Sequence, residues 1–561
     1  MKTLTETHDL IRGQQVGRSH SDTSATSFPT RTAGRSRRMT SMIRQAFLPT
    51  HFLRSAGLAA GALYLAACAT GPAVSQVSPT VELDTGTLQG IQDGALSVYR
   101  GIPYAAPPVG ELRWRAPTPP ASWSGVREAS EFGSACMQAT TSEEPWAQVG
   151  PESEDCLYLN IWQPTSDGES LPVMVFIHGG SLRAGAAGVP LYDGTALAER
   201  GAVIVTINYR LGRLGYFAHP ALTQETPEGP LNNYGLMDQI AALEWVQRNI
   251  GAFGGNPENV TIFGESAGAV SVQALMASPK AEGLFTRAVS QSGGGYSIMP
   301  PMMIAEMKGK AWAAEMGLEK ATAEQLRSLP AEEVATLDDY LSGLASDGQI
   351  LKSSPVETFI NGEQAKVPLL IGGNSYEANL LAADLDGLNL KTVKMIVGDK
   401  YDDLLEGYRN QDGKGGSGED RLFTQSIAIQ PSRFLANTHA EGGQPSYVYY
   451  FGQVAASNRD KMPGAVHGAE LSYIFSTRMD SETWDENDRE ISRLMGDYWV
   501  NFARTGDPNG TGLPHWQPVT SAKSPLMDIE GQATLREATP LEKATLEAGE
   551  DTVSKIWSTA D

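Results

Sequence analysis

The sequence predicts an α/β fold with a mostly parallel central sheet, helices on both faces, and helical insertions above the sheet. Three observations carry this. Leu171–Gly180, "LPVMVFIHGG", and Gly201–Gly212, "GAVIVTINYRLG", are near-continuous apolar runs, as strands buried on both faces read. Strand-like and helix-like segments then alternate, as parallel strands joined by crossover helices require. Finally, Val260–Val272, "VTIFGESAGAVSV", passes from a β-branched run through Gly264 and Gly268 into an Ala-rich, Pro-free stretch, a strand turning sharply into a helix.

Taken in order, the chain divides into 1–67, 68–80 and 81–561. Residues 1–67 hold nine Lys or Arg against three acids, a net of +6, which leaves −28 of the total −22 on the remainder. So acidic a body excludes nucleic acid as a partner, because phosphate binding needs a basic face. Residues 1–38 read as disordered. Arg44 and Arg54 then precede Ser55–Cys68, "SAGLAAGALYLAAC", which is apolar but too short to span a bilayer and has the form of a secretory signal. Its end, Leu65-Ala66-Ala67-Cys68, resembles a bacterial lipobox, in which cleavage precedes the Cys and lipid is attached to its thiol. The expectation is an exported protein facing the periplasm or exterior and touching the membrane only through Cys68; soluble secretion is the alternative. Residues 69–79, "ATGPAVSQVSP", suit a tether.

Within the body, Leu236, Ile240, Leu243 and Val246 recur at spacings of three and four and predict a helix over 234–250. Further strands are expected at "TRAVSQSG", at Val367–Asn374, "VPLLIGGN", and at Pro445–Gly452, "PSYVYYFG". Residues 301–345 and 376–440, rich in Ala, Glu, Leu and Met, read as the helical insertions. With Cys68 assigned to lipid, Cys136 and Cys156 remain as either a disulfide, worth about 3 kcal/mol in the chain-entropy model, or two buried thiols. No His/Cys cluster has metal-ligand spacing, and no metal is expected.

The corner at Gly264-Glu265-Ser266-Ala267-Gly268 is a G-x-S-x-G nucleophile elbow, which holds a serine hydroxyl exposed on a tight turn. Such a serine needs a base and an acid to orient that base, following it in the order acid, then His. Of the eight histidines, His8, His20, His51, His178 and His219 precede Ser266, His439 sits within a helical run, and His515 has the setting of a packing residue. His467, in the Gly-bounded loop "PGAVHGAELSYIF", remains. For the acid, Glu377 lies three residues beyond Asn374 at a strand's carboxyl end; Asp347, Asp384 and Asp386 are alternatives. The oxyanion needs donors, supplied by the Ala267 amide and the loop after "VFIHGGSL".

These segments, with "YRGIPYAAPPVGELRWRAP", "SEDCLYLNIW", "NYGLMDQIAALEWVQRNIGAFGGNPENVTIFGESAGA" and "YWVNFARTGDPN", resemble the type-B carboxylesterase family, from about Val81 onward. The resemblance implies the α/β-hydrolase fold and hydrolysis of a small-molecule ester through an acyl-enzyme, without cofactor. It implies Ser266 as nucleophile, His467 as general base and then acid, and Glu377 as the orienting carboxylate. It places the oxyanion hole on the amides of Gly180, Ser181 and Ala267, has Glu265 and Ser292 help hold the triad, and pairs Cys136 with Cys156. Two departures stand out. Ser181-Leu182-Arg183 replace the small residue and aromatic that many relatives carry after the HGG, and Ala378 replaces a Gly after the acid. Arg183 then offers a positive charge near the entrance, suited to esters bearing acidic or polar groups. Amide, carbamate or lactone cleavage is a neighbouring reading. A neuroligin-like binding module would have lost the nucleophile, whereas Ser266, Glu377 and His467 are all present.

Overall fold

The apolar runs become strands whose neighbouring residues face opposite ways, and each face finds its own cover. In the computed structural model, residues 78–558 are described, apart from 140–148, 166–167, 169, 227–230, 297–298, 337–342, 384–387, 412 and 479–481. The expectations for 1–67, Cys68 and most of the tether, and the alternatives Asp384 and Asp386, fall outside the described residues. The central sheet consists of β1 (Ile91–Asp93), β2 (Leu96–Pro103), β3 (Tyr158–Pro164), β4 (Leu171–Ile177), β5 (Val203–Ile207), β6 (Gly255–Glu265), β7 (Arg287–Gln291), β8 (Leu369–Asn374), β9 (Ser446–Phe451), β10 (Leu526–Glu530) and β11 (Gln532–Arg536). Their spatial order is β11-β10-β9-β8-β7-β6-β4-β5-β3-β2-β1. The strands from β10 to β5 in that order pair in parallel. Antiparallel strands close both edges.

Val173, Val175 and Ile177 of β4 enter one hydrophobic cluster while Met174 and Phe176 enter the other, so both faces are dry. The first cluster takes α1 (Tyr234–Asn249) and α2 (Ala267–Ala277), together with α3 (Met302–Glu315) and α4 (Gln430–Glu441) of the insertions. Leu236, Ile240, Leu243 and Val246 are all buried on α1, as their spacing requires. The second cluster takes α5 (Ala469–Phe475) and α6 (Glu486–Thr505). On α6, Ile491, Met495, Trp499 and Phe502 form the buried stripe; an Asp485–Asp488 capping box starts the helix and left-handed Gly506 ends it. Each such side chain contributes about 1.5–3 kcal/mol by leaving water. One expectation fails here. His515 is exposed, and its neighbour Trp516 is the buried residue, anchored by Asn509 through bonds at both its backbone amide and carbonyl.

Cys136 and Cys156 are joined in a disulfide with Cα atoms 4.9 Å apart, which excludes the free-thiol alternative. No helix of the described residues is long and apolar enough to cross a membrane. The feature that positions a site is the change of direction at β4: β5 lies on one side of it and β6 on the other. In open α/β sheets a crevice forms beyond the carboxyl ends of the strands at such a point. The loop after β4 and the corner after β6 both open into it.

Candidate active site

At the end of β6, Ser266 adopts φ 55 and ψ −123, a conformation that costs an L-residue about 1–3 kcal/mol and persists only when its surroundings enforce it. They do. The Ser266 amide donates to Gln291 O at 2.8 Å, extending the β6–β7 ladder by a rung, and the Ser266 carbonyl accepts the first bond of α2 from Val270. Glycine at 268 is required by contact, since a Cβ there would lie 2.0 Å from the Ile177 carbonyl oxygen. The Ala267 amide, at the first position of α2, is one of the donors a helix N-terminus leaves without an intrahelical partner.

Beyond β4 the chain turns through Gly180 (φ 97), Ser181 (φ 58) and Leu182 (φ 59), three successive left-handed residues. The Gly180 carbonyl accepts from the amides of Arg183 and Ala184, both at 3.0 Å; among the described residues, the amides of Gly180 and Ser181 themselves donate to no protein acceptor. A Cβ on Gly179 would lie 3.0 Å from Ser266 Cβ, so this loop lies directly against the serine. Its floor is His178, stacked on Tyr209 at 4.5 Å, with Nδ1 2.9 Å from Gly179 O. Burial lowers the His178 pKa to about 4, so the ring is neutral and donates through Nδ1. Leu182 is buried, and Arg183 is half-buried.

Glu377 and His467 meet from β8 and β9. His467 Nδ1 is 2.5 Å from Glu377 Oε2, while Glu377 Oε1 accepts from Ser292 Oγ and from the Asn374 amide, both at 2.7 Å. The Glu377 amide donates to Thr424 Oγ1 at 3.1 Å, and the His467 amide to Asn379 Oδ1 at 2.9 Å. Acid and imidazole are thus each held from two sides. His467 Nε2 lies 3.2 Å from Glu265 Oε1, on the residue before Ser266. Among the described hydrogen bonds none joins Ser266 Oγ to His467; in substrate-free enzymes that bond is often long. Asp347, the remaining alternative acid, binds Asn233 Nδ2 and caps the amides of Gln349, Ile350 and Leu351, a structural role. His439 is buried between Gln364 and the Val367 carbonyl.

Sequence reasoning missed Glu470, Asn374 and Gln291. Glu470 lies in the first turn of α5, fully buried, accepting from Gln291 Nε2 at 3.2 Å and Asn374 Nδ2 at 2.5 Å; Gln291 Oε1 in turn accepts from Trp499 Nε1 at 3.1 Å. The signal was present, an acid three residues beyond His467 in an otherwise apolar helix.

Two carboxylates therefore contact one imidazole, and a third adds its charge. Burial lowers the affinity of His467 for a proton, but the charges of Glu265 and Glu377, the hydrogen bond to Glu377 and the more distant Glu470 outweigh it and raise the pKa to about 10. Burial raises Glu265 to about 8; His467 opposes this, and Glu470 and Glu377 add to it. Glu265 holds its proton beyond the usual carboxylate range, and His467 is more basic than a free imidazole. Glu470 is likewise raised, by burial first.

The arrangement offers a hydroxyl on a strained corner, an imidazole locked by a carboxylate through Nδ1, and against the same serine a loop whose Gly180 and Ser181 amides donate to no protein acceptor among the described residues, the kinds of group that acyl transfer uses. The carboxylesterase family model matches residues 77–547. A fumonisin B1 esterase from Sphingopyxis macrogoltabida is 36% identical over 455 residues, covering 77% of this chain and 83% of that protein. The para-nitrobenzyl esterase of Bacillus subtilis is 32% identical over 490 residues, covering 82% and 96%. A crystal structure of a Geobacillus stearothermophilus carboxylesterase superposes with a TM-score of 0.73 at 33% identity, covering 83% of this chain and 99% of its own. A sheet with its crevice at β4, an elbow, and matches that run nearly the length of the relatives leave one conclusion: the chain belongs to the carboxylesterase family of α/β-hydrolases and is a carboxylesterase.

Proposed function

We propose that the chain cleaves carboxylic esters through an acyl-enzyme on Ser266. His467 Nε2 takes the hydroxyl proton as Oγ attacks the carbonyl carbon, and Glu377 holds the tautomer and stabilises the imidazolium. The amides of Gly180, Ser181 and Ala267 receive the oxyanion. His467 then returns the proton to the leaving alcohol, and water repeats the sequence to release the acid. The observation that carries this reading is the 2.5 Å Glu377–His467 contact, with Glu265 bringing the same imidazole to the Ser266 corner. The test is hydrolysis of para-nitrophenyl esters from acetate to laurate by wild type and Ser266→Ala, with a pre-steady-state burst reporting the acyl-enzyme. Ester turnover that survives in Ser266→Ala sinks the reading.

Arg183, next to the oxyanion loop, is proposed to favour esters carrying an anionic group. Support comes from its place beside Leu182, in the loop that lies against Ser266. Arg183→Ala is expected to lower kcat/KM for an anionic ester about tenfold more than for a neutral ester of the same length; equal effects on both would remove the proposal. Export with lipid on Cys68 is proposed on the L-A-A-C at the end of an apolar segment. Mass spectrometry of the mature N-terminus tests it, and a mature chain retaining residues 1–67 overturns it.

A further inference from the structure

The oxyanion loop is fixed at one end by β4. Its other end is tied by side-chain amides to the segment around the disulfide. Gln138, two residues past Cys136 and 8% exposed, donates through Nε2 to Cys136 O at 2.9 Å and to Gly185 O at 3.1 Å, and its Oε1 accepts from the Gly185 amide at 2.9 Å. The Gln138 amide donates to Glu152 Oε2 at 3.0 Å. Gln138 thus pairs with both backbone groups of Gly185, as a strand neighbour would. From the other half-cystine, Cys156 O accepts from Asn208 Nδ2 at 3.1 Å, while Asn208 Oδ1 accepts from the Ala187 amide at 2.8 Å.

What Gly185 does there is set by contact. A Cβ on it would lie 2.5 Å from His178 Nδ1, so its backbone presses on the ring that floors the loop. Its predecessor Ala184 closes the turn onto the Gly180 carbonyl. The intervening Gly180, Ser181 and Leu182 are all left-handed and lie outside any sheet or helix, so the direction of their amides depends on how the loop's ends are held.

We propose that Gln138 is a positioning residue for the oxyanion hole, its hydrogen bonds to Gly185 setting the aim of the Gly180 and Ser181 amides. This rests on the reading that those amides bind the oxyanion. Gln138→Met keeps length and volume but removes the three side-chain bonds. A donor in an oxyanion hole is worth about 10²–10³ in kcat, and two donors left in place but misaimed are expected to lower kcat per active site about tenfold. KM stays within about twofold, and affinity for a trifluoromethyl ketone, which forms a tetrahedral oxyanion on the serine, falls by the same factor as kcat. Burst titration counts active sites, so a role in stability alone would lower the melting temperature or the burst amplitude and leave both quantities per site unchanged. That result overturns the proposal. Should Gln138→Met not fold, Gln138→Glu, which keeps the acceptor for the Gly185 amide and loses both donors, is judged by the same readouts. Wild type and Ser266→Ala run alongside. If the wild type fails to hydrolyse esters, or Ser266→Ala retains activity, the oxyanion reading falls and the proposal with it; if those controls behave and kcat and ketone affinity per site do not move, the positioning role alone falls.

Discussion

β6 and β7 are parallel neighbours that end in the same way and then serve different ends. Glu265 pairs with Gln291 across the last rung, and the next residue on each strand, Ser266 or Ser292, is a serine at φ 55. Each amide donates 2.8 Å to the following strand, Ser266 to Gln291 O and Ser292 to Gly372 O. The backbone corner is therefore shared. The segments beyond the two corners diverge: α2 begins at Ala267 and presents a helix N-terminus to the crevice, whereas Ser292 runs into Gly293, Gly294 and Gly295, its hydroxyl spent on Glu377. The residues before the serines diverge as well, with an ionisable Glu265 beside His467 opposite a neutral Gln291 that ties Glu470 to Trp499. A strained serine alone does not mark a nucleophile; on the proposed mechanism the donors and the base beside it decide.

The largest test of that contrast is removal of each hydroxyl. Ser266→Ala is expected to lower kcat on the order of a million-fold. Ser292→Ala removes one bond to a buried carboxylate, worth about 1.5–3 kcal/mol, and is expected to lower kcat about ten- to a hundred-fold with KM little changed. Comparable losses for the two would break the distinction. The residues before the corners come next. On the proposed mechanism the neutral imidazole is the base, so kcat/KM is expected to rise with pH as His467 loses its proton, and Glu265 contributes the largest upward push on that proton. Glu265→Gln is expected to move the acid limb of the pH–rate profile to lower pH; a limb that stays would show Glu265 uncharged throughout, and one that moves up would overturn the assignment. The smallest effect sharpens the shared part of the comparison. Ser266→Gly relieves the left-handed strain without losing a side-chain bond and is expected to stabilise by about 1–3 kcal/mol, read as a raised melting temperature. In Ser292→Gly the lost bond to Glu377 offsets that gain, and little or no stabilisation is expected.

The legible parts of this molecule were those fixed by local backbone demands. Gly264 and Gly268 announce the corner because nothing larger fits against β4, and the apolar runs announce buried strands because both faces are covered. His467 and Glu377 were found by their places in Gly-flanked loops after strands. Glu470 and Asn374 were not, because their meaning lies in pairing across the sheet ends, and the glutamate reads as an ordinary helix-start acid until its partners are seen. Gln138 is the extreme case, since its partner Gly185 lies beyond both β3 and β4 in sequence. His515 misled because the Trp beside it carried the packing.

The order of the strands has a consequence for how the protein is made. The proposed oxyanion loop comes after β4, the serine corner after β6, the carboxylate after β8 and the imidazole after β9, so the groups of the proposed site emerge from the ribosome in that sequence and far apart in the chain. A nascent chain that has reached Ser266 lacks both the β7 carbonyl of Gln291 that holds its corner and, on the proposed mechanism, a base, which waits until β9 docks beside β8. Parallel pairing of distant segments is intrinsically slow, and domains of this size fold through intermediates. Hydrolytic power should therefore appear late and all at once, with the completion of the sheet.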